Sequence, residues 1–306
     1  MTGRATSRKL PRPAQFVDLS DYARPLAGWV ALRLAGTPIR APQVTAVWVV
    51  IGLLGALAYA LDGYGYAVLG AVAVQVKNVL DAVDGSLARL QARPSRIGRF
   101  LDTNSDALVA AALSCALAAA VARERPTVYA VTLAGAALVA GLLQGSVFNY
   151  YYVRYRARCG GDTTSRVEEA LTDDDRAEYA DRPFALWSLR VLIGSYNWIY
   201  GWQDRLVRRI DEWAAFPLTS VGRGDEAETM RDEASLLTAI SALGPGLAIL
   251  ILDVYTVVGF RHLTLALELY LWTIVAGGTL YAAAIFLRLR KTAVRLARSG
   301  DGGWGS

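Results

Sequence analysis

Four aspartates stand in runs of otherwise apolar residues: Asp81 and Asp84 in QVKNVLDAVDGSLARL, and Asp102 and Asp106 in IGRFLDTNSDALVAAAL. An ionised carboxylate in hydrocarbon costs roughly 2.5–3.5 kcal/mol even on the mildest scale, so residues of this kind point to function. At about 100° per residue, Asp81, Asp84, Gly85 and Ala88 share one helical stripe, and Gly98, Asp102 and Asp106 share a second. With residues 91–96 as the turn, Asp84 and Asp102 lie roughly 9–10 Å from it and Asp81 and Asp106 about 15 Å, at about 1.5 Å rise per residue. A turn that short predicts antiparallel neighbours whose four carboxylates converge in one cleft. Like charges so close cannot all stay ionised unless cations neutralise them. An all-oxygen donor set with no His or Cys beside it suits Mg²⁺, Mn²⁺ or Ca²⁺ rather than Zn²⁺. A cluster of this size can hold two divalent ions about 3.5–4 Å apart, a clamp for a diphosphate and its leaving phosphate. Gly85 and Ala88 leave space for a ligand against the backbone, and Arg89 can pair with phosphate oxygens or snorkel to headgroups. The chemistry implied is metal-dependent phosphoryl transfer at a membrane boundary.

Elements that carry such residues must cross a bilayer. Six segments are long and apolar enough for the roughly 20 residues required: 44–61, 66–90, 97–122, 127–150, 234–259 and 263–287. The expected fold is all-α, a polytopic membrane protein of six transmembrane helices. Composition agrees, with 54% hydrophobic and only 19% charged residues in 306, where a soluble chain carries about 25% charged. Disorder, collagen-like repeats and a disulfide scaffold are excluded, and Cys115 and Cys159 are not expected to bridge. No cleavable signal peptide is expected, because the first residues are polar and basic and the first apolar run starts late.

A formal charge of +5 fits nucleic acid or anionic lipid, so its placement decides. Basic residues fill the N-terminal stretch (Arg4, Arg8, Lys9, Arg12, Arg24, Arg33, Arg40), the second–third turn (Arg93, Arg96), the fourth–fifth connection and the tail (Arg288, Arg290, Lys291, Arg295, Arg298). The opposite connections hold only Arg123, Arg125 and Arg261. Positive-inside reading places both termini and the cleft in the cytoplasm and leaves no case for nucleic acid. The chain divides into a cytoplasmic arm (1–42), the site-bearing spans (43–150), a cytoplasmic connection (151–233) and the last two spans with a basic tail (234–306).

Two cytoplasmic stretches stand apart. Residues 20–36 group Leu26, Trp29, Val30 and Leu34 among arginines and read as an interfacial amphipathic helix. The connection begins acidic and solvated (Glu168, Glu169, Asp173, Asp174, Asp175, Glu178, Asp181). It continues through Trp187, Tyr196, Trp198, Tyr200, Trp202 and Trp213 beside Arg190, Arg205, Arg208 and Arg209. That second half fits a helix at headgroup level or a small soluble helical hairpin.

The pattern Asp81-x2-Asp84-Gly85-x2-Ala88-Arg89-x8-Gly98-x3-Asp102-x3-Asp106 resembles the signature of the CDP-alcohol phosphotransferase family at all eight fixed positions. At average residue usage a chance match at a given start is on the order of 1 in 10¹⁰. The resemblance covers most of the membrane part and leaves the connection uncovered. It implies an enzyme of phospholipid synthesis, a CDP-alcohol phosphatidyltransferase. A CDP-linked donor such as CDP-diacylglycerol binds with its diphosphate on Mg²⁺ or Mn²⁺, an acceptor hydroxyl attacks the β-phosphorus, and CMP leaves. By motif position Asp81, Asp84 and Asp102 are metal ligands, and Asp106 is a ligand or the general base. Gly85, Ala88, Arg89 and Gly98 line the CDP site. A homodimer is implied as well. Pro42-Gln43-Val44-Thr45 is similar to the family's Pro-Asn-x-x-Thr, with Gln for Asn and one residue fewer.

Other residues keep two readings. Lys77 is a counter-charge to Asp81 at i,i+4 or a ligand for an acceptor phosphate. Asn78, Asn104 and Ser105 are second-layer hydrogen bonders. Arg154, Arg156 and Arg158 anchor the fourth span or line a pocket for an anionic acceptor. His262 falls on the far side, away from catalysis, and Glu268 in the sixth span must be paired or near the outer interface. The Ala- and Gly-rich third and fourth spans permit close helix packing. With 29 Arg against 3 Lys, the composition points to a GC-rich prokaryote. The acceptor is an alcohol or phosphorylated alcohol. Rival functions are the same chemistry on a non-lipid donor such as CDP-inositol, a carboxylate-dependent transporter, and an inactive scaffold.

Overall fold

Apolar runs punctuated by Pro, Gly and Ser set the element order. In the computed structural model the described residues are 10, 14–92, 95–160 and 169–300, and Arg4, Arg8, Lys9, Arg12, Arg93 and Glu168 lie outside them. No strand occurs among the described residues. The helices are α1 (Arg24–Leu34), α2 (Ala41–Ala60), α3 (Tyr64–Leu90), α4 (Arg96–Val121), α5 (Thr127–Arg158), α6 (Asp173–Glu178), α7 (Pro183–Ile199), α8 (Gly201–Thr219), α9 (Gly224–Arg231), α10 (Ala234–Ser241), α11 (Pro245–Val258), α12 (Leu263–Trp272) and α13 (Thr279–Gly300). Five helical stretches are long and apolar enough to cross a membrane, and a sixth span is a bent pair.

That bent pair corrects the expectation of one helix over 234–259. The chain turns by 45° between α10 and α11. Pro245 has no N–H, and its ring meets the carbonyl four residues back, so the helix cannot run through. The break receives the N-terminal arm. Gly246 N–H donates to Ser20 Oγ (2.9 Å), and Leu19 N–H donates to Ser241 Oγ (2.9 Å). A Cβ on Gly246 would overlap the carbonyl oxygen of Ser20.

The last span also differs from expectation. Helix continues from Leu263 to Ser299 through a π-helical turn, Thr273–Gly278, so the basic stretch expected as a tail is helical as far as the structure describes it. A π turn frees a backbone carbonyl, and buried Gln144 of α5 donates to that of Ile274 at 2.8 Å.

Two apolar clusters hold the bundle. In the first, Ala116, Ala118 and Ala120 of α4 meet Ala130, Ala134 and Ala137 of α5, with Leu252, Leu267 and Leu271 filling the side. These small residues therefore bring α4 onto α5 within one chain. The second joins α5, α8, α9, α10 and α13 through Val147, Val207, Leu218, Leu237, Ile240 and Phe286. Helix α1 seats Ala27 and Ala31 on Val83 and Leu87 of α3, with Val30 and Leu34 packed beside them, while Leu26, Trp29 and Leu32 are exposed. It is shorter than 20–36 because the chain before Pro25 is occupied in the α10–α11 break.

Gly246→Ala forces a methyl group into Ser20 and is expected to destabilise the protein by about 1–3 kcal/mol. A lowered melting temperature in detergent, with Gly135→Ala unchanged because nothing lies within 4 Å of it, is the check.

Candidate active site

The carboxylates converge, though by a different packing than a simple helix pair. α2 packs against both α3 and α4, and the backbones of α3 and α4 stay apart beyond the turn. Side chains meet across the cleft so formed. Asp81, Asp84 and Asp102 each present an oxygen within 4.8 Å of the others.

Each carboxylate has its own support. Asp84 is buried, and its Oδ2 accepts from Thr45 Oγ1 (2.7 Å) and Trp48 Nε1 (2.8 Å), two α2 residues one turn apart. Lys77, also buried, pairs with Asp81 at 3.3 Å and with Asp106, and its ammonium lies 4.5 Å over the Trp48 ring. Both a carboxylate and a π face stabilise a desolvated ammonium. Asp106 is thus tied to Lys77, outside the group of three. Asp102 Oδ1 is buried with no hydrogen-bond partner among the described residues. A buried carboxylate oxygen without a donor is costly unless a cation meets it. The donor set is all oxygen and fits a hard divalent ion.

The remaining motif residues shape the approach. A Cβ on Gly85 would meet only the tip of Arg89, 3.5 Å away, so the backbone is open to a ligand there. Arg89 Nη2 donates to Ser86 Oγ at 3.3 Å, which folds the guanidinium along the same stripe. Ala88 is half-buried on it. Ser95 caps α4 by accepting from Gly98 N–H at 3.0 Å, the N-cap geometry serine favours.

Several expected site residues lie elsewhere. Gln43 accepts from Arg40 N–H at 2.8 Å and closes the first turn of α2. Asn78 donates to Tyr22 of the arm (3.1 Å), and Tyr22 donates to Gln75 (2.9 Å). Asn104 turns from the cleft to donate to Leu192 O of α7 at 3.1 Å. Arg154 pairs with Glu228 at 2.6 Å, and Arg158 with Glu228 (2.8 Å) and Asp232 (3.1 Å). Arg156 is buried, its Nε and Nη2 find no partner among the described residues, and its guanidinium lies 5.6 Å from the centre of the Tyr152 ring. Glu268 accepts from Arg125 (2.8 Å) and Tyr129 (2.6 Å). His262 lies in the α11–α12 turn. Trp48 went unnoticed in sequence, although its place three residues after Thr45 puts it on the same helix face.

The profile of the CDP-alcohol phosphatidyltransferase family matches residues 40–202, more than half of the chain. The chain belongs to this family. No curated protein matches it. CDP-alcohol phosphatidyltransferases transfer a phosphoryl group from a CDP-alcohol to an acceptor and generally depend on a divalent metal. The match runs through α7 to the start of α8, so the family region extends over half of the connection expected to lie outside it.

That connection is also less solvated than its acidity suggests. Glu169 and Asp175 are buried against the first turn of α4, pairing with Arg96, and Glu169 also lies 2.7 Å from Arg99. Burial alone would raise the Asp175 carboxyl. The Thr172 N–H and hydroxyl, together with Arg96, outweigh burial and hold it below the usual carboxylate range. Its stabilising effect is present above the unfolded pKa of about 4 and is lost as pH falls through the lower folded value. Asp175→Asn should therefore lower the melting temperature at pH 7, and the gap to wild type should close in a melting series carried below about pH 4.

Proposed function

We propose that the chain transfers a phosphatidyl group from CDP-diacylglycerol to an alcohol, with release of CMP, in phospholipid synthesis. The observation that carries this reading is Asp102 Oδ1, a buried acceptor without a donor, beside Asp81 and Asp84 and opposite the open backbone at Gly85. Asp81, Asp84 and Asp102 would hold Mg²⁺ or Mn²⁺. When bound, the metal supplies charge stabilisation to the diphosphate and the departing CMP. Thr45 and Trp48 fix Asp84 so that its remaining oxygen faces the cleft. Gly85, Ala88, Arg89 and Gly98 form the CDP side.

Asp106 serves as the base. The acceptor oxygen bonds to the β-phosphorus, the bond from that phosphorus to CMP breaks, and the hydroxyl proton passes to Asp106. Lys77 holds Asp106 in place until then. Because the hydroxyl becomes acidic late in a loose transition state, a weak base suffices. Basic residues gathered at the motif end support a cytoplasmic site and cytoplasmic termini in a prokaryotic membrane. Pairing into a homodimer belongs to the same reading.

CMP release from CDP-diacylglycerol should vanish with chelator and return with Mg²⁺ or Mn²⁺. Asp102→Asn should lose calorimetric Mn²⁺ binding along with turnover. Asp106→Asn should keep metal and donor binding and lose about 10²–10⁴ in rate. Full CMP release in chelator would sink the reading.

Arg156 supports an anionic acceptor. Arg154 and Arg158 are held by carboxylates, whereas the Arg156 guanidinium is buried with unmet donors suited to phosphate. Arg156→Gln is expected to raise KM for inositol phosphate or glycerol phosphate by roughly 10–100-fold, the scale of a lost charged hydrogen bond. KM for unphosphorylated alcohols should stay unchanged in the same assay.

A further inference from the structure

Helix α13 keeps one outward face while the chemistry of that face changes. At about 100° per residue, Leu280, Leu287, Arg288, Lys291, Arg295 and Arg298 fall within about 100° of arc. All six are exposed, Leu280 to 71% and Leu287 to 51%. Apolar surface therefore passes directly into cations at Arg288, with no carboxylate anywhere on the helix. The opposite face is fixed. Leu289 and Ala293 are buried in one cluster with Val207 and Leu218 of α8. Arg290, the remaining cation of the helix, is used there: its Nη1 donates to Trp213 O at 2.6 Å, and its guanidinium lies 4.3 Å over the Trp213 ring. Arg223 Nη1 donates to Leu296 O at 2.6 Å and holds the last turns. Arg288, Lys291, Arg295 and Arg298, by contrast, make no ion pair or side-chain hydrogen bond among the described residues. An open groove of about 500 Å³ runs along the same face, from Ala284 and Leu287 to Lys291, Thr292 and Arg295.

We propose that this stripe binds an anionic phospholipid of the adjacent leaflet, its chains along Leu280 and Leu287 and its phosphate and headgroup on Arg288, Lys291 and Arg295. Marking orientation across a membrane needs cations near a span, not four of them held on one face of a docked helix. The depth fits as well. A headgroup layer is roughly 5–7 Å thick on each side of the hydrocarbon. At about 1.5 Å per residue, Lys291 lies about 5 Å and Arg295 about 10 Å beyond Arg288. Long side chains and a Debye length of about 8 Å bring all three within reach of lipid phosphate. Arginine offers phosphate a two-point fork, and the groove adds the Thr292 hydroxyl. An acidic protein or a nucleic acid would use the cations and leave the apolar half of the face unmatched. A phospholipid fits both halves.

The test titrates phosphatidylglycerol and phosphatidylcholine of identical chains into the full-length protein in detergent and counts bound lipid by native mass spectrometry. Wild type should prefer phosphatidylglycerol by about tenfold, the scale of a few cations at an anionic headgroup. Arg288→Gln/Lys291→Gln/Arg295→Gln should abolish the preference and leave the lipid-free melting temperature unchanged. Arg288→Lys/Arg295→Lys keeps the charge and should retain most of it. Equal retention of the two lipids by wild type, or an undiminished preference in the glutamine variant, overturns the assignment. So does displacement of the lipid by an equal concentration of glycerol phosphate, an acidic peptide or a short RNA. Should the glutamine variant fail to fold, Lys291 of the wild-type protein gives a second measurement. The chain has only three lysines, and Lys77 is buried in the cleft, so acetylation of Lys291 can be followed by peptide mass. Phosphatidylglycerol should slow that acetylation and phosphatidylcholine should not; equal rates in the two lipids would sink the proposal.

Discussion

Mutual repulsion among four carboxylates inside apolar helices is the constraint around which the bundle is arranged. Bringing them together from α3 and α4 costs desolvation and like-charge energy at once. Three of them have named partners. Lys77 lies against Asp81 and Asp106, Thr45 and Trp48 donate to Asp84, and Asp102 keeps an oxygen with no partner among the described residues. The first span therefore belongs to the site: α2 keeps α3 and α4 apart and supplies the donors that hold one carboxylate still.

Around that cleft, polar contacts between distant parts of the chain set where each helix begins and breaks. The start of α4 is anchored by Glu169 and Asp175 through Arg96, so an acidic stretch more than seventy residues away fixes the helix that carries Asp102 and Asp106. Buried ion pairs of this kind contribute more to specifying an arrangement than to net stability. The N-terminal arm has a similar part, entering the gap that Pro245 opens and carrying Tyr22 to Asn78, one residue from Lys77. A further network around Asp211, which accepts from Tyr151 (2.7 Å) and Arg231 (3.0 Å), ties α5 to α8 and α9.

The outer face of α7 bears on how the connection meets its surroundings. Leu189, Ile193 and Tyr196 pack toward Phe100, while Phe184, Trp187, Val191 and Trp198 are exposed, Trp198 to 83%. A run of large aromatics facing outward suits headgroups and upper acyl chains better than water.

Local pattern determined a great deal. Hydropathy and length marked the spans because an apolar helix in a bilayer needs nothing beyond its own residues, and i,i+4 spacing put the aspartates on facing stripes because helix geometry is fixed. The family followed from eight residues on two adjacent helices. Tertiary structure alone decided which groups neutralise those aspartates. The partnership of Lys77 with Asp106, the donors Thr45 and Trp48 on Asp84, and the capture of Glu169 and Asp175 by Arg96 all join residues far apart in the chain. The bend at Pro245 could be suspected from its side chain, but the reason it is tolerated, the Ser20 arm filling the gap, lies more than two hundred residues away. Pairings of that kind depend on how helices pack, and packing is set by shape and burial summed over many contacts, which no local spacing encodes.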